Sequence, residues 1–201
     1  RIDRLDLCRE DGSVFVKILD YKSGSLDLDE DLMKRGIQLQ LLMYMNAAMD
    51  YLAVQNPETD IIPSAMLYYR IADPVIDGNK SSGDSLELIR DSLRPTGMIN
   101  SDPVSYRHLD RTITGKSDVI PLKLKKDGDP GAGSSVYSAE GFKELTREVT
   151  SVVCRLAEDI LDGKAEADPA AWKNNRTACD YCPYSSVCGF DLSIEGYKYR
   201  K

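Results

Sequence analysis

Hydrophobic and polar positions change their spacing several times along the chain, and each change marks an element. Val14-Phe-Val-Lys-Ile-Leu19 is a β-forming run, preceded by a second strand-like run that begins Arg1-Ile-Asp-Arg-Leu-Asp6. Together they predict strands over about 1–9 and 14–21, joined by a hairpin turn at Glu10-Asp-Gly-Ser13. The period then lengthens. Met33, Ile37, Leu41, Met45, Ala48 and Leu52 recur at steps of four and three, which predicts one long amphipathic helix from Met33 to Ala53. Asn56-Pro-Glu-Thr-Asp60 breaks it. Ser64 to Ile71, heavy in β-formers, predicts a third strand.

Residues 74–117 are polar and irregular, with a helix over Ser85–Leu93. Val119 to Leu124 alternates as an edge strand does, and Pro121 agrees with an edge position. Lys126 to Ser135 is a flexible loop, and its glycine spacing lacks the Lys-Ser/Thr of a phosphate-binding loop. Ser138 caps a helix running to about Leu161, and Gly163 ends it. From Pro169 the tail wraps around three cysteines. No internal repeat is present. The pattern predicts an α/β fold, a central mixed sheet with helices against its faces.

At 201 residues the length suits one domain with an ample core, and 42% hydrophobic content is ordinary for a globular protein. No apolar run is long enough to span a bilayer, no signal peptide is evident, and a cytoplasmic location is expected. The net charge of −7 argues against a free-standing DNA-binding module, which carries a basic face. It leaves room for a domain whose metal site is itself acidic and whose DNA track comes from elsewhere. The basic run Lys198 to Lys201 reads as a solvated tail.

The chemistry concentrates at Asp20-Tyr-Lys22, which closes the second strand, and at Asp3 on its neighbour. Two carboxylates and a lysine on adjacent strands are what metal-dependent phosphodiester cleavage requires. Carboxylates hold a divalent cation, and the lysine orients water or balances charge on the phosphate. Oxygen ligands of this kind suit Mg²⁺ or Mn²⁺ rather than zinc. A hairpin with solvent-facing polar residues is the other reading of the same triplet. The strand pleat turns Asp6 to the face opposite Asp3, so Asp6 is not assigned to the metal. Gln40 and Tyr44 stand four apart beside the buried helix face, either as site residues or as a boundary polar residue and a core-edge tyrosine.

Five cysteines are present, an odd number that speaks against a disulfide framework. Cys179, Cys182 and Cys188 form Cys-x2-Cys-x5-Cys, a spacing that serves zinc or an iron–sulfur cluster. Cys8 and Cys154 read as small buried hydrophobes. His108, the single histidine, reads as a satisfied surface residue.

Arg1-Ile-Asp3, Leu19-Asp-Tyr-Lys-Ser-Gly24 and the Gln40 to Tyr44 pair, in that order, resemble the RecB-type branch of the PD-(D/E)XK nucleases. The resemblance is closest to the C-terminal nuclease domains of AddB-type subunits, and it continues through Leu67 to Pro74 and the cysteines. It implies a single RecB-like nuclease domain over 1–201, cut from a longer protein, with 169–201 as a cysteine-rich C-terminal staple. It also implies a metal-dependent DNA exonuclease within an ATP-dependent helicase-nuclease of double-strand break repair and recombination. That nuclease cuts the 5′-ended strand and works with DNA and an AddA-type helicase subunit. No ATPase motif lies in the chain, so ATP dependence would come from the partner.

By the same resemblance, Asp3, Asp20 and the backbone carbonyl of Tyr21 hold Mg²⁺ or Mn²⁺, Lys22 positions the attacking water, and Gln40 and Tyr44 support the site. Cys179, Cys182 and Cys188 would join a fourth cysteine, upstream of Arg1, to hold a [4Fe–4S] cluster. The family's metal-binding histidine also lies upstream, and His108 is not its counterpart. With three thiolates only, no stable cluster is expected in this chain, and 174–190 is expected to be mobile or held by Trp172 and Phe190 alone. The alternatives are an inactive structural or DNA-end-binding domain, and a zinc-bound interaction module.

Overall fold

Asp11 and Gly12 both take positive φ, 48° and 77°, the pair of conformations that a two-residue hairpin turn needs. They join β1 (Arg4–Glu10) to β2 (Ser13–Lys22) in antiparallel register. The computed structural model describes residues 1–24, 27–71, 73–74, 85–172 and 176–200, with the backbone alone at Ser85. The residues just before the predicted Ser85 helix, together with Asn174 and Lys201, lie outside the described residues.

The main sheet has the order β1-β2-β3-β4-β5, with β3 at Asp60–Arg70, β4 at Thr96–Asn100 and β5 at Val136–Tyr137. β2 and β3 run parallel, as do β4 and β5, whereas β3 and β4 are antiparallel. This is the mixed sheet that the sequence predicts. β2 and β3 are central and read as nearly continuous apolar runs because both of their faces are covered. On one face Val14, Val16, Ile18 and Met66 pack under α2 (Gln40–Gln55) and α5 (Ala139–Leu161). On the other, Leu19, Leu67 and Ile99 pack against Tyr106 of α4 (Pro103–Leu109) and against Ile120 and Leu122.

The predicted long helix is two helices. α1 spans Glu30–Lys34, capped by Asp29, and α2 starts only at Gln40. Gly36 makes the break: it takes φ 82°, and a Cβ there would meet Leu156 Cδ1 at 3.1 Å. Met33 stays in the core, but Ile37 is 40% exposed and leaves the apolar face that the sequence assigns to it. Between the helices Gln38 is buried. Its Oε1 accepts from Asp29 N and its Nε2 donates to Asp27 O, which fixes the loop that leads to α1.

Residues 74–117, read as largely irregular, contain α3 (Ser85–Leu93), as expected, and also β4 and α4. β4 is too short for periodicity to reveal. α4 carries its signal in Asp102, whose side chain accepts from Val104 N, followed by Pro103 in the first turn. Val119–Leu124 is not an edge strand. It forms a loop with isolated bridges at Lys116–Lys123 and Leu124–Pro130, and its alternation arises because Ile120 and Leu122 are buried. The strand beside β4 is β5. Ser138 caps α5 by accepting from Gly141 N, and Gly163 follows it at φ 72°, both as read from the sequence.

Gly97 has φ 139°, and a Cβ built on it would lie 2.1 Å from Met66 O across the β3–β4 pairing. Gly97→Ala is therefore expected to cost about 3 kcal/mol of unfolding free energy, since the clash is with backbone and no rotamer relieves it. Urea denaturation tests this, and a loss within experimental error of zero would contradict the close approach.

The tail returns to the body through main-chain contacts. β6 (Ala171–Trp172) pairs with β7 (Arg176–Thr177), Ala171 N donates to Arg200 O, and Arg35 Nη1 donates to Ala171 O. Phe190 packs between Tyr197 and Tyr199. The described part of 174–190 is thus turns, β7 and a short helix, α6 (Ser185–Cys188), held by more than Trp172 and Phe190. Among the described residues no helix is long and apolar enough to cross a membrane.

Candidate active site

The candidate residues meet at the C-terminal end of β2. Val14, Val16 and Ile18 face the core under α2, so the pleat sends Asp20 and Lys22 to the same face, just beyond it. Because α2 begins at Gln40, the first turn of that helix stands directly over them. Asp20 is 2% exposed. Its Oδ1 accepts from Gln40 Nε2 at 3.0 Å, and its Oδ2 lies 2.6 Å from Lys22 Nζ. Lys22 Nζ also donates to Gln40 Oε1 at 2.8 Å. Gln40 Nε2 reaches Tyr44 OH at 3.1 Å, one helical turn along. The glutamine amide accepts from a cation and donates to an anion, so both of its ends are matched.

Asp3 lies just before β1, not within it. The register that pairs Arg4 with Leu19 places Asp3 one step further, beside Asp20. Asp3 is exposed, and its Oδ2 accepts from Tyr21 N at 3.1 Å, which ties it to the strand that carries the other two groups. Asp6 points to the opposite face, as the pleat requires. It pairs there with Lys17 at 2.7 Å and Arg4 at 2.9 Å, which together hold its carboxyl below the usual range against the opposing effect of burial.

Tyr68 belongs to this site and is not legible in the sequence as a site residue. It neighbours Asp20 in the β2–β3 register, and its ring centroid lies 5.5 Å from Lys22 Nζ. Burial first, and then the Asp20 charge, push its hydroxyl up to about 12. The folded value exceeds the unfolded value of about 10, so the neutral phenol stabilises the fold below pH 10 and that contribution is lost as pH rises towards 12. Stability of the wild type is accordingly expected to fall more steeply than that of Tyr68→Phe between pH 10 and 12, and parallel denaturation curves would contradict the assignment.

The buried carboxylate of Asp20 and the exposed carboxylate of Asp3 are hard oxygen donors, which suit a hard divalent cation and not a soft metal. Among the described residues no three His, Cys, Asp or Glu side chains converge, so carbonyl and water oxygens would complete any such ion's shell. The same observation applies to the cysteines. Cys182 N donates to Cys179 O across a turn and Cys188 closes α6, but the three thiols do not converge into a ligand set.

Cys154 is exposed on α5, not buried. Cys8 is half-buried and lies 3.5 Å from His108 Nδ1, while His108 Nε2 is 2.9 Å from Glu10 Oε2. The histidine side chain is only 10% exposed and its ring packs on Phe15, so it is not a surface residue. This contact spans 100 positions and lies on the sheet face away from Asp20, so His108 takes no part in the candidate site.

The family model described as the PD-(D/E)XK nuclease superfamily matches residues 1–189. The chain belongs to that superfamily. It is also 38% identical, over its whole length, to the B subunit of an ATP-dependent helicase/deoxyribonuclease of Lachnoclostridium phytofermentans. The protein of the same description from Clostridium botulinum (strain Hall) is 39% identical over the whole chain, and that of Thermoanaerobacter sp. (strain X514) is 36% identical over 99% of it. The chain spans 17–18% of the length of these relatives. The sequence Asp20-Tyr-Lys22 at the end of β2 has the Asp/Glu-x-Lys pattern that the superfamily's name describes.

Proposed function

We propose that residues 1–201 are a single metal-dependent nuclease domain of an ATP-dependent helicase-nuclease, hydrolysing phosphodiesters of the 5′-ended DNA strand as an exonuclease. The observation that carries this reading is the network of Lys22, Gln40 and Tyr44 around the buried Asp20, with Asp3 beside it. The names of the relatives, B subunits of ATP-dependent helicase/deoxyribonucleases, agree with it; DNA and an AddA-type helicase subunit are the proposed partners, and repair and recombination the proposed context.

Asp3, Asp20 and the Tyr21 carbonyl would hold Mg²⁺ or Mn²⁺. Such an ion supplies Lewis-acid polarisation of the phosphate and a lowered pKa for bound water. Asp20 is fixed by the Gln40 amide, so its carboxylate is preorganised. Lys22 carries its charge at the edge of the same site, where it stabilises negative charge on the phosphate oxygens and orients water. Gln40 holds the ammonium in place through Oε1, and Tyr44 fixes Gln40. Cys179, Cys182 and Cys188 would supply three ligands of a [4Fe–4S] cluster in the longer protein.

Degradation of linear single-stranded DNA by the full chain, with Mg²⁺, with Mn²⁺ and with chelator, tests the reading. Cleavage in either metal and none in chelator is expected. No cleavage in either metal would overturn it.

A further inference from the structure

A second cluster of reactive groups lies on the face of the sheet away from Asp20. Alternation along β1 puts Cys8 and Glu10 on that face, and the register with β2 sets Phe15 beside Cys8. α4 lies over them. Its Tyr106 is buried with Leu19 and Leu67, and His108, two residues further on, packs its ring against Phe15 with 4.4 Å between centroids. The imidazole then reaches both polar side chains of β1. Its Nδ1 is 3.5 Å from Cys8 Sγ, and its Nε2 is 2.9 Å from Glu10 Oε2.

The three groups stand as a nucleophile, a base and a compensating charge. The Cys8 thiol donates to Nδ1, so the ring is placed to take its proton. Nε2 is buried and hydrogen-bonds no group, so its contact with Glu10 is one of charge, and that charge favours an imidazolium once the proton arrives. Asp6 and Lys17, also on this face, pair with each other at 2.7 Å. Cys8 is half-buried and not sealed from solvent, and it is a free thiol. Nothing in the candidate nuclease site draws on this cluster.

We propose that Cys8 is a nucleophilic thiol activated by His108, a modification site at which hydroperoxides oxidise the chain to a sulfenic acid. As Sγ attacks one peroxide oxygen, its proton passes to His108 Nδ1, the S–O bond forms and the O–O bond breaks. The departing oxygen takes that proton from His108 and leaves as water, or as an alcohol from an organic hydroperoxide. Sulfur loses two electrons and the peroxide gains two. Glu10 is a positioning residue, which touches the imidazole and stabilises its charged form. The proposal stands apart from the nuclease reading and does not depend on it.

The test is alkylation of the full chain by limiting iodoacetamide at neutral pH, followed cysteine by cysteine through peptide mass spectrometry. Cys154, exposed on α5, is the internal reference. Cys8 is expected to react about tenfold faster than Cys154 although it is less exposed, and His108→Gln is expected to lower the Cys8 rate about tenfold, a modest general-base effect. Glu10→Gln, at an exposed side chain, is expected to lower it about threefold, the scale of one exposed ion pair. Loosened packing of α4 would uncover Cys8 and raise its rate, so a fall in rate reports loss of the base and not of the fold. Hydrogen peroxide followed by dimedone is expected to tag Cys8 in the wild type and to tag it less in both variants. Cys8 reacting no faster than Cys154, or as fast in His108→Gln as in the wild type, would overturn the activation. Absence of a dimedone adduct on Cys8 would overturn the hydroperoxide assignment.

Discussion

Asp20→Asn is expected to lower DNA hydrolysis by about a thousandfold or more, the scale reached when one preorganised electrostatic contact at a reacting centre is lost. The substitution keeps the shape of the side chain, and the Asn carbonyl oxygen can still accept from Gln40 Nε2. What disappears is a negative charge at a position only 2% exposed. Mg²⁺ affinity should therefore drop sharply while the fold persists, with Lys22 the one partner left uncompensated.

Lys22→Ala is expected to lower hydrolysis to a similar extent for a different reason. Asp20 keeps its charge and its Gln40 contact, so metal affinity should be retained, and loss of the competing ammonium favours it. The chemical step suffers instead. This variant also leaves a buried carboxylate without its cation. Lys22 is partly exposed, which reduces the penalty to about 1–3 kcal/mol of stability. Metal titration calorimetry on both variants, with their thermal unfolding as the control, separates the roles. If Lys22→Ala loses metal affinity as badly as Asp20→Asn, the division of labour between carboxylate and lysine is wrong.

The parts of this site that are legible in the sequence are those set by local periodicity. Alternation along β2 puts Asp20 and Lys22 on one face, and the four-residue step puts Gln40 under Tyr44. The hairpin turn, the Ser138 cap and Gly163 are equally local signals. What periodicity cannot supply is long-range placement. The Tyr68 ring comes to Lys22 only through the parallel pairing of β2 with β3, 46 positions away. The Cys8–His108 contact likewise depends on where α4 docks. The 33–53 pattern misleads because a helix break at a glycine can preserve the phase of some apolar residues. Met33 and Leu41 are both buried although two separate helices carry them. The break nonetheless shapes the candidate site, since it makes Gln40 the first residue of α2, where its amide reaches Asp20. In 119–124, alternation reports burial of Ile120 and Leu122 and not strand pairing, because a loop that crosses a core face alternates as a strand does.

Iron and acid-labile sulfide in the 201-residue chain, purified anaerobically, are expected to fall well below four per chain. A [4Fe–4S] cluster ordinarily takes four thiolates, and the tail offers Cys179, Cys182 and Cys188. Neither remaining cysteine is placed to help: Cys8 is engaged with His108 on a sheet face, and Cys154 is exposed on α5. The tail does not depend on a cluster for its attachment to the body. Arg35 grips Ala171 O, Arg200 N donates to Pro169 O, and Phe190 is held between two tyrosines. Cys188→Ser, at an exposed position, should therefore change the unfolding free energy of this chain by no more than about 0.5 kcal/mol. In the longer protein, where a fourth cysteine is proposed to complete the set, the same substitution should abolish the brown colour and cost far more, because ligand binding to the folded state adds directly to its stability. About four irons per chain in the 201-residue protein would overturn this account, and would make Cys8 or Cys154 the missing ligand after a rearrangement of the tail.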